Sequence, residues 1–165
     1  MGKKINSQDL IKKIEKMTRE RMSQGSVVDL ASFRDFKKKQ TEPPVILVIE
    51  DDETMRAALI RILESENYIV KAASDATELS SQLSELAPDL MIVDVGLPWL
   101  NGFELGQMLK EHVELKNIPL VFISGKATTD DIKRGFELGA DDFIKKPFEI
   151  DHLKKTIKAL LKISA

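Results

Sequence analysis

Residues 90–98 read LMIVDVGLP, a run of four apolar residues followed by a carboxylate and a turn. The apolar run shows no polar alternation, which is typical of a strand buried on both faces of a parallel sheet. Asp94 therefore stands at the carboxyl end of a predicted strand. Ligands of open parallel sheets bind beyond the carboxyl ends of the strands. The position of Asp94 alone makes it a candidate functional residue.

Short β-rich runs alternate with amphipathic helical stretches on both sides of this strand. The predicted strands cover residues 45–49, 68–72, 90–93, 120–123 and 142–144. Apolar residues at helical spacing mark three of the helices: Met55, Leu59, Ile62 and Leu63; Leu79, Leu83 and Leu86; and Leu153, Ile157, Leu160 and Leu161. Strict alternation of strand and helix predicts an α/β fold, a doubly wound parallel sheet with helices on both faces.

The composition fits one folded domain with an appendage. The chain has 165 residues, of which 42% are hydrophobic and 32% charged, and it has no cysteine. The lack of cysteine excludes disulfides and thiolate metal sites. The longest purely apolar run, residues 45–49, is too short to span a bilayer, and no apolar stretch of signal-peptide length follows Met1. We therefore expect a cytoplasmic protein that does not contact a membrane.

Two prolines, Pro43 and Pro44, divide the chain into a domain from 45 to 165 and an N-terminal extension of residues 1–44. The extension carries 11 basic and 6 acidic residues, a net charge of +5, and the remainder carries 14 and 21, a net charge of −7. The basic residues of the extension alternate with acids and apolar residues, which favours a solvated helix face over a nucleic-acid site. We expect no nucleic-acid contact by the domain.

Apolar spacing predicts helices within the extension. Leu10, Ile11, Ile14 and Met17 form a stripe on a helix over about Ser7–Met22, and a shorter helix follows a break, with its stripe formed by Leu30, Phe33 and Phe36. Short helices with narrow apolar faces rarely fold alone in water. The extension is therefore expected to dock on the domain, to pair with a second protomer or to bind a partner; a partly ordered arm is the alternative.

Several acids, a hydroxyl and an ammonium are predicted to converge at one edge of the sheet, because each follows a strand: Glu50, Asp51, Asp52, Asp94, Ser124 and Lys146. Two carboxylates 4 Å apart repel by about 4 kcal/mol at an effective dielectric of 20, so a cation is needed to hold them together. Oxygen ligands without His or Cys favour Mg²⁺. Helix capping is the alternative role for each acid, and Asp52 in particular fits it.

Asp94 is the predicted nucleophile of this edge. A carboxylate beside a metal can form an aspartyl phosphate. The transferred phosphoryl group spreads its charge over three equatorial oxygens, which need donors or cations. Mg²⁺, Ser124 and Lys146 are suited to bind one oxygen each.

Four motifs together resemble the response-regulator receiver domains of two-component signalling. They are VILVIEDDETMR at 45–56, PDLMIVDVGLPWLNG at 88–102, IPLVFISG at 118–125 and GADDFIKKPF at 139–148. They occur in the family's order, and the resemblance covers about residues 45–163. It implies a flavodoxin-like, five-stranded parallel sheet of order 2-1-3-4-5.

The resemblance also implies roles for individual residues. Asp94 would be the phosphoacceptor. The Mg²⁺ ligands would be Asp51, Asp94 and the carbonyl of Gly96, with Glu50 acting mainly through water. Ser124 and Lys146 would hold the phosphoryl oxygens, and Phe143 would be the rotamer switch that turns inward when Ser124 moves. The Lys146–Pro147 peptide bond would be cis.

The implied function is a phosphorylation-controlled switch, with a histidine kinase or a phosphotransfer protein as phosphoryl donor. A downstream protein or a second protomer would bind the face over about Thr128–Leu161. No enzymatic activity is expected beyond the chain's own phosphorylation and dephosphorylation. A receiver that docks partners without being phosphorylated is the alternative function.

Two other classes of protein fit the sequence less well. An aspartate-nucleophile phosphatase typically has a second Asp two residues after the nucleophile, where this chain has Gly96. A flavin-binding module needs a phosphate-binding loop after the first strand, and Glu50, Asp51 and Asp52 would repel that phosphate.

Overall fold

The computed structural model describes residues 7–22 and 42–164, and the side chains of 7–16 and 42–162. In order, its elements are α1 (Ser7–Met22), β1 (Val45–Ile49), α2 (Glu53–Glu64), β2 (Ile69–Ala73), α3 (Ala76–Glu85), β3 (Leu90–Asp94), α4 (Gly102–Glu111), β4 (Leu120–Ser124), α5 (Thr129–Glu137), β5 (Asp142–Lys145) and α6 (Ile150–Ser164). The second helix predicted for the extension lies outside the described residues.

The five strands form one parallel sheet in the order β2-β1-β3-β4-β5, which confirms the predicted topology. In the central strand β3, all five residues are buried. The edge strand β2 alternates between exposed and half-buried positions until Ala73. It begins one residue later than predicted, because Tyr68 still donates its backbone N–H to the carbonyl of Leu63 and follows Asn67, which has a φ of 65°.

Successive strand residues point to opposite faces of the sheet and build two cores. Ile46 and Val48 of β1 pack with α2 and α6, in a cluster that includes Leu59, Leu63, Leu153 and Ile157. Leu47 and Ile49 point to the other face, where they pack with residues of α3 and α4 such as Leu79, Leu83, Leu105 and Leu109. Each face of the sheet is therefore closed by its own helices.

Helix α1 of the extension packs into the second of these cores. Leu10 is fully buried and Ile14 is 7% exposed, and both belong to the cluster that contains Leu79 and Leu83 of α3. The ring Nε2 of His112 lies 3.2 Å from the backbone oxygen of Ile14. This confirms that the first helix of the extension docks on the domain through Leu10 and Ile14. The side chains of Met17, Leu30 and Phe33 lie outside the described residues.

Three aromatic rings meet beneath α4 and α5. Their ring centroids form a triangle: Phe122 is 5.1 Å from Phe103 and 6.2 Å from Phe143, and Phe103 is 6.3 Å from Phe143. Two helix glycines make room for these rings: a Cβ at Gly106 would overlap the Phe122 ring, and one at Gly135 would lie 2.9 Å from Cδ2 of Phe143. Glycine costs about 1 kcal/mol relative to alanine inside a helix, so close packing of the rings offsets that cost.

No helix in the described part of the chain is both long and apolar enough to cross a bilayer.

Candidate functional site

The carboxyl ends of β1 and β3 bring three acids together. Glu50 follows β1 directly and Asp94 ends β3, and the two strands are paired neighbours. Carboxylate oxygens of Glu50, Asp51 and Asp94 all lie within 4.8 Å of one another. Glu50 and Asp94 are 1% and 5% exposed, whereas Asp51 faces solvent. The predicted convergence of these acids is therefore present in the fold.

Lys146 supplies the positive charge in this cluster. Its Nζ donates to Oε2 of Glu50 at 2.8 Å and to Oδ1 of Asp94 at 3.4 Å. Lys146 thus joins the acids at the predicted edge of the sheet, and its shorter contact is with Glu50. The backbone N–H of Lys146 donates to the carbonyl of Ser124 at 2.7 Å, and the Lys146–Pro147 bond is cis, as predicted.

The electrostatics of the pair reflect its burial. Desolvation by burial raises the pKa of Glu50, and the charge of Asp94 raises it further, while the hydrogen bond and charge of Lys146 oppose that rise. Burial also works against the ammonium of Lys146, but its bonds to Glu50 and Asp94 and their negative charges outweigh burial and raise its pKa. Burial is thus the largest single influence on both groups, and the attraction between Lys146 and the two acids opposes it.

Ser124 ends β4, next to Asp94, because the register pairs Asp94 with Ile123. Ser124 is 5% exposed, and its hydroxyl accepts a hydrogen bond from the backbone N–H of Lys126 at 3.2 Å. A hydroxyl in that position can reorient its proton toward a new acceptor. The structure thus places the predicted switch hydroxyl on the strand beside the predicted acceptor.

The loop after Asp94 is held at several points. The N–H of Gly96 donates to Oδ1 of Asp94 at 3.2 Å, and the N–H of Gly102 donates to the carbonyl of Val95 at 3.0 Å. A Cβ at Gly102 would overlap the carbonyl oxygen of Asp94. The indole Nε1 of Trp99 donates to the carbonyl of Ser74 at 3.2 Å and so joins this loop to the end of β2.

Phe143 of β5 is buried, with 8% of its surface exposed, and its ring packs against Phe122. Phe136 on α5 is 48% exposed. The predicted aromatic switch, Phe143, therefore lies beneath α5, which is part of the predicted output face.

Two residues that follow β1 lie near the acids, and only one of them, Asp52, had a role predicted from the sequence. Asp52 caps α2, accepting from the N–H of Met55 at 2.7 Å, which is the capping role considered for it. Arg56 on the same helix donates to the carbonyls of Glu50 and Asp51. The sequence did contain a signal for the role of Arg56. This residue lies six residues after Glu50, which puts a long basic side chain one turn into the helix that follows the acids.

The chain matches the family model of the response regulator receiver domain over residues 46–158. The chain belongs to the receiver-domain family. This receiver is 36% identical over 117 residues to the sensory transduction protein BceR of Halalkalibacterium halodurans, a match that covers 71% of this chain and 49% of that protein. It is 40% identical over 118 residues to the aerobic respiration control protein ArcA of Escherichia coli, covering 72% and 48% respectively. The receiver spans about half the length of these relatives.

Solved structures agree with the fold. A putative response regulator from Chloroflexus aurantiacus superposes with a TM-score of 0.69 at 30% identity, covering 73% of this chain and 99% of that one. The signal receiver domain of a signal transduction histidine kinase from Syntrophus aciditrophicus gives a TM-score of 0.66 at 35% identity, covering 72% and 90%. The expected family and fold are confirmed.

Proposed function

We propose that this receiver is a phosphorylation-controlled switch that accepts a phosphoryl group on Asp94 from a histidine kinase or a phosphotransfer protein. The observation that carries the proposal is the grouping of three carboxylates within 4.8 Å around a strand-end aspartate that faces Lys146. Residues 45–165 would form the receiver domain, and residues 1–44 would be an extension anchored to it by α1. We expect the chain in the cytoplasm, with its phosphoryl donors.

The site fits Mg²⁺. Its ligand atoms are all oxygens, it combines one exposed and two buried carboxylates, and these three acids face a single ammonium, that of Lys146. The residues that would hold the ion are Asp51, Asp94 and the carbonyl of Gly96, with Glu50 beside them. When bound, the ion would screen the acids from one another and stabilise negative charge on the phosphoryl group.

Asp94 would be the nucleophile. A carboxylate oxygen attacks phosphorus, a new P–O bond forms, and the bond from phosphorus to the donor's imidazole nitrogen or to another leaving group breaks. The electron pair of that bond leaves with the donor. Lys146 and Ser124 would stabilise two of the equatorial oxygens, Lys146 by its charge and Ser124 by donating its hydroxyl proton.

The response would travel from Ser124 to Phe143 and the output face, about Thr128–Leu161. Movement of the Ser124 hydroxyl toward the phosphoryl group would change the space available to the ring of Phe143. The partner at this face would be a downstream protein or a second protomer, and the exposed ring of Phe136 offers it an apolar contact. Phe143 has no hydroxyl, so its signal would depend on packing rather than on a hydrogen bond. The chain would act on no substrate other than its own phosphoryl donor and water.

Intact mass after incubation with acetyl phosphate and Mg²⁺ tests the proposal. Wild type should gain the mass of one phosphate, and Asp94→Asn should gain none. Asp130→Asn, which alters an exposed acid on α5, is the matched control and should behave as wild type. A second incubation uses beryllofluoride and Mg²⁺ and follows the fluorescence spectrum of the protein. A wild type that gains no phosphate and shows no spectral change would instead support a docking module that works without phosphorylation.

A further inference from the structure

Arg56 holds the backbone from which the acid pair projects. This half-buried residue of α2 donates from Nη1 to the carbonyl of Glu50 at 3.2 Å and to the carbonyl of Asp51 at 3.1 Å. One guanidinium nitrogen therefore bridges the two peptide groups next to the carboxylates of the site. Neither bond involves a carboxylate, so Arg56 does not occupy the acid oxygens.

The rest of the turn does not duplicate this contact. The first carbonyl that the α2 backbone engages is that of Asp52, which accepts from the N–H of Arg56 at 2.9 Å. The side chain of Asp52 caps the helix by accepting from Met55. Glu50 is tied from its other side, since its N–H donates to the carbonyl of Ala73 at 3.1 Å. Arg56 thus extends the hydrogen bonding of the helix back over the two residues that precede its cap.

Backbone placement matters most for Asp51. Its side chain is short and exposed, so the position of its carboxylate follows the orientation of its own backbone. Glu50 has further anchors, because its Oε1 accepts from the N–H of Asp52 at 3.1 Å and its Oε2 accepts from Lys146. Release of the Asp51 carbonyl would let the most exposed of the three acids turn away from the other two.

We propose that Arg56 is a positioning residue for the metal site: it fixes the acid pair in the arrangement that binds Mg²⁺. The proposal rests on the metal site of the proposed function. Charge alone predicts the opposite effect, because a cation beside a cation-binding site repels the ion and its removal should tighten binding. The direction of the change in affinity therefore separates positioning from charge.

Calorimetric titration of Mg²⁺ into the chelator-stripped full chain tests this. Arg56→Met keeps an unbranched apolar stem and removes both hydrogen bonds, and it should raise the Mg²⁺ Kd by about tenfold, the effect usual for residues that orient metal ligands. Arg61→Met removes the same charge from an exposed position on the same helix and should leave the Kd unchanged. Arg56→Lys keeps the charge and one donor group, and its Kd should lie between those of wild type and Arg56→Met.

A second readout distinguishes positioning from a merely structural role. At limiting Mg²⁺ the phosphorylation of Arg56→Met by acetyl phosphate should be slower than that of wild type, and saturating Mg²⁺ should restore the rate. A loss of unfolding free energy with an unchanged Kd would make Arg56 a structural residue only and overturn the proposal. So would tighter binding, or a rate that stays low at saturating Mg²⁺.

The controls also separate this inference from the function on which it rests. A wild type that binds no Mg²⁺ overturns the metal site and the role of Arg56 together. A wild type that binds Mg²⁺ beside an Arg56→Met that binds it equally well overturns the role of Arg56 alone. Should Arg56→Met fail to fold, Arg56→Lys decides: weaker binding than wild type supports the proposal, and wild-type binding overturns it.

Discussion

Lys146 lies closer to Glu50 than to the predicted acceptor: Nζ is 2.8 Å from Oε2 of Glu50 and 3.4 Å from Oδ1 of Asp94. Glu50 is almost fully buried, so this ammonium is the main compensation for its charge. Glu50 thus helps to place Lys146 beside Asp94, a role in addition to the water-mediated one expected for it at the metal.

The metal-free protein should lose stability as Glu50 ionises. Burial raises the folded-state pKa of Glu50 above its ordinary value of 4.5, so between 4.5 and the raised pKa the folded state holds a proton that the unfolded state has released. Unfolding free energy should therefore fall as pH rises through this window, by at most about 1.4 kcal/mol per pH unit. Urea unfolding measured at a series of pH values, with a chelator present, should show a smaller fall in unfolding free energy for Glu50→Gln than for wild type. Glu53→Gln, an exposed acid of the next turn, should keep it.

Lys146→Met should destabilise the metal-free protein without weakening Mg²⁺ binding. Loss of the ammonium leaves Glu50 buried without its cation, and its pKa should rise further. A bound metal ion would replace the missing positive charge, so added Mg²⁺ should raise the Tm of the variant more than that of wild type. Thermal unfolding with and without Mg²⁺ measures both effects. A Kd for Mg²⁺ higher than that of wild type would contradict this placement of Lys146.

Helix α1 should contribute to the stability of the domain. Leu10 is fully buried against the core of α3 and α4, and truncation of a buried leucine to alanine costs about 2–5 kcal/mol. Leu10→Ala should therefore lower the midpoint of urea unfolding, whereas Lys13→Ala, at an exposed position of α1, should not. A chain that begins at Glu42, and so lacks α1, should lose at least as much unfolding free energy as Leu10→Ala. Equal midpoints for wild type and Leu10→Ala would show that α1 does not stay docked in solution.

Gly106→Ala should destabilise α4, although alanine is the better helix former by about 1 kcal/mol. The added methyl group would overlap the Phe122 ring, and overpacking a close-packed core costs about 1–3 kcal/mol. Chemical denaturation of wild type, the two single variants Gly106→Ala and Phe122→Leu, and the double variant measures how strongly the methyl group and the ring oppose each other. Combined with Phe122→Leu, which removes the ring, the alanine should become neutral or stabilising. An additive result would mean that the ring is not what excludes a side chain at this position.

Much of the fold follows from local patterns in the sequence. Buried parallel strands need unbroken apolar residues, and the run from Leu90 to Val93 ends where a carboxylate begins, so the strand and its functional end are marked together. The site follows because strand ends of one parallel sheet share an edge. Helices α4 and α5 could be expected only from the alternation of strands and helices, because Gly106 and Gly135 lower their helix propensity. The reason for these glycines is the packing of aromatic rings from the neighbouring strands, which the sequence does not show.

The sequence could not specify contacts made by adaptable side chains. The apolar stripe of Leu10 and Ile14 predicts that one face of α1 is buried, but not which surface covers it. Several helices of the domain, α3 among them, also carry apolar residues at helical spacing and could have been that surface. Arg56 has several rotatable bonds and five donor N–H groups, so its partners, two backbone carbonyls, carry no signature in the residue type. Such contacts depend on the tertiary arrangement and appear only with it.

The hydrogen bond between Trp99 and Ser74 has an experimental consequence. The chain contains one tryptophan, and that residue sits in the loop directly after Asp94, with its indole N–H bonded across to the end of β2. All tryptophan emission from this protein therefore originates beside the proposed phosphorylation site. Changes in polarity or hydrogen bonding there can be followed optically on the unlabelled chain, in real time, with Trp99→Phe as the blank.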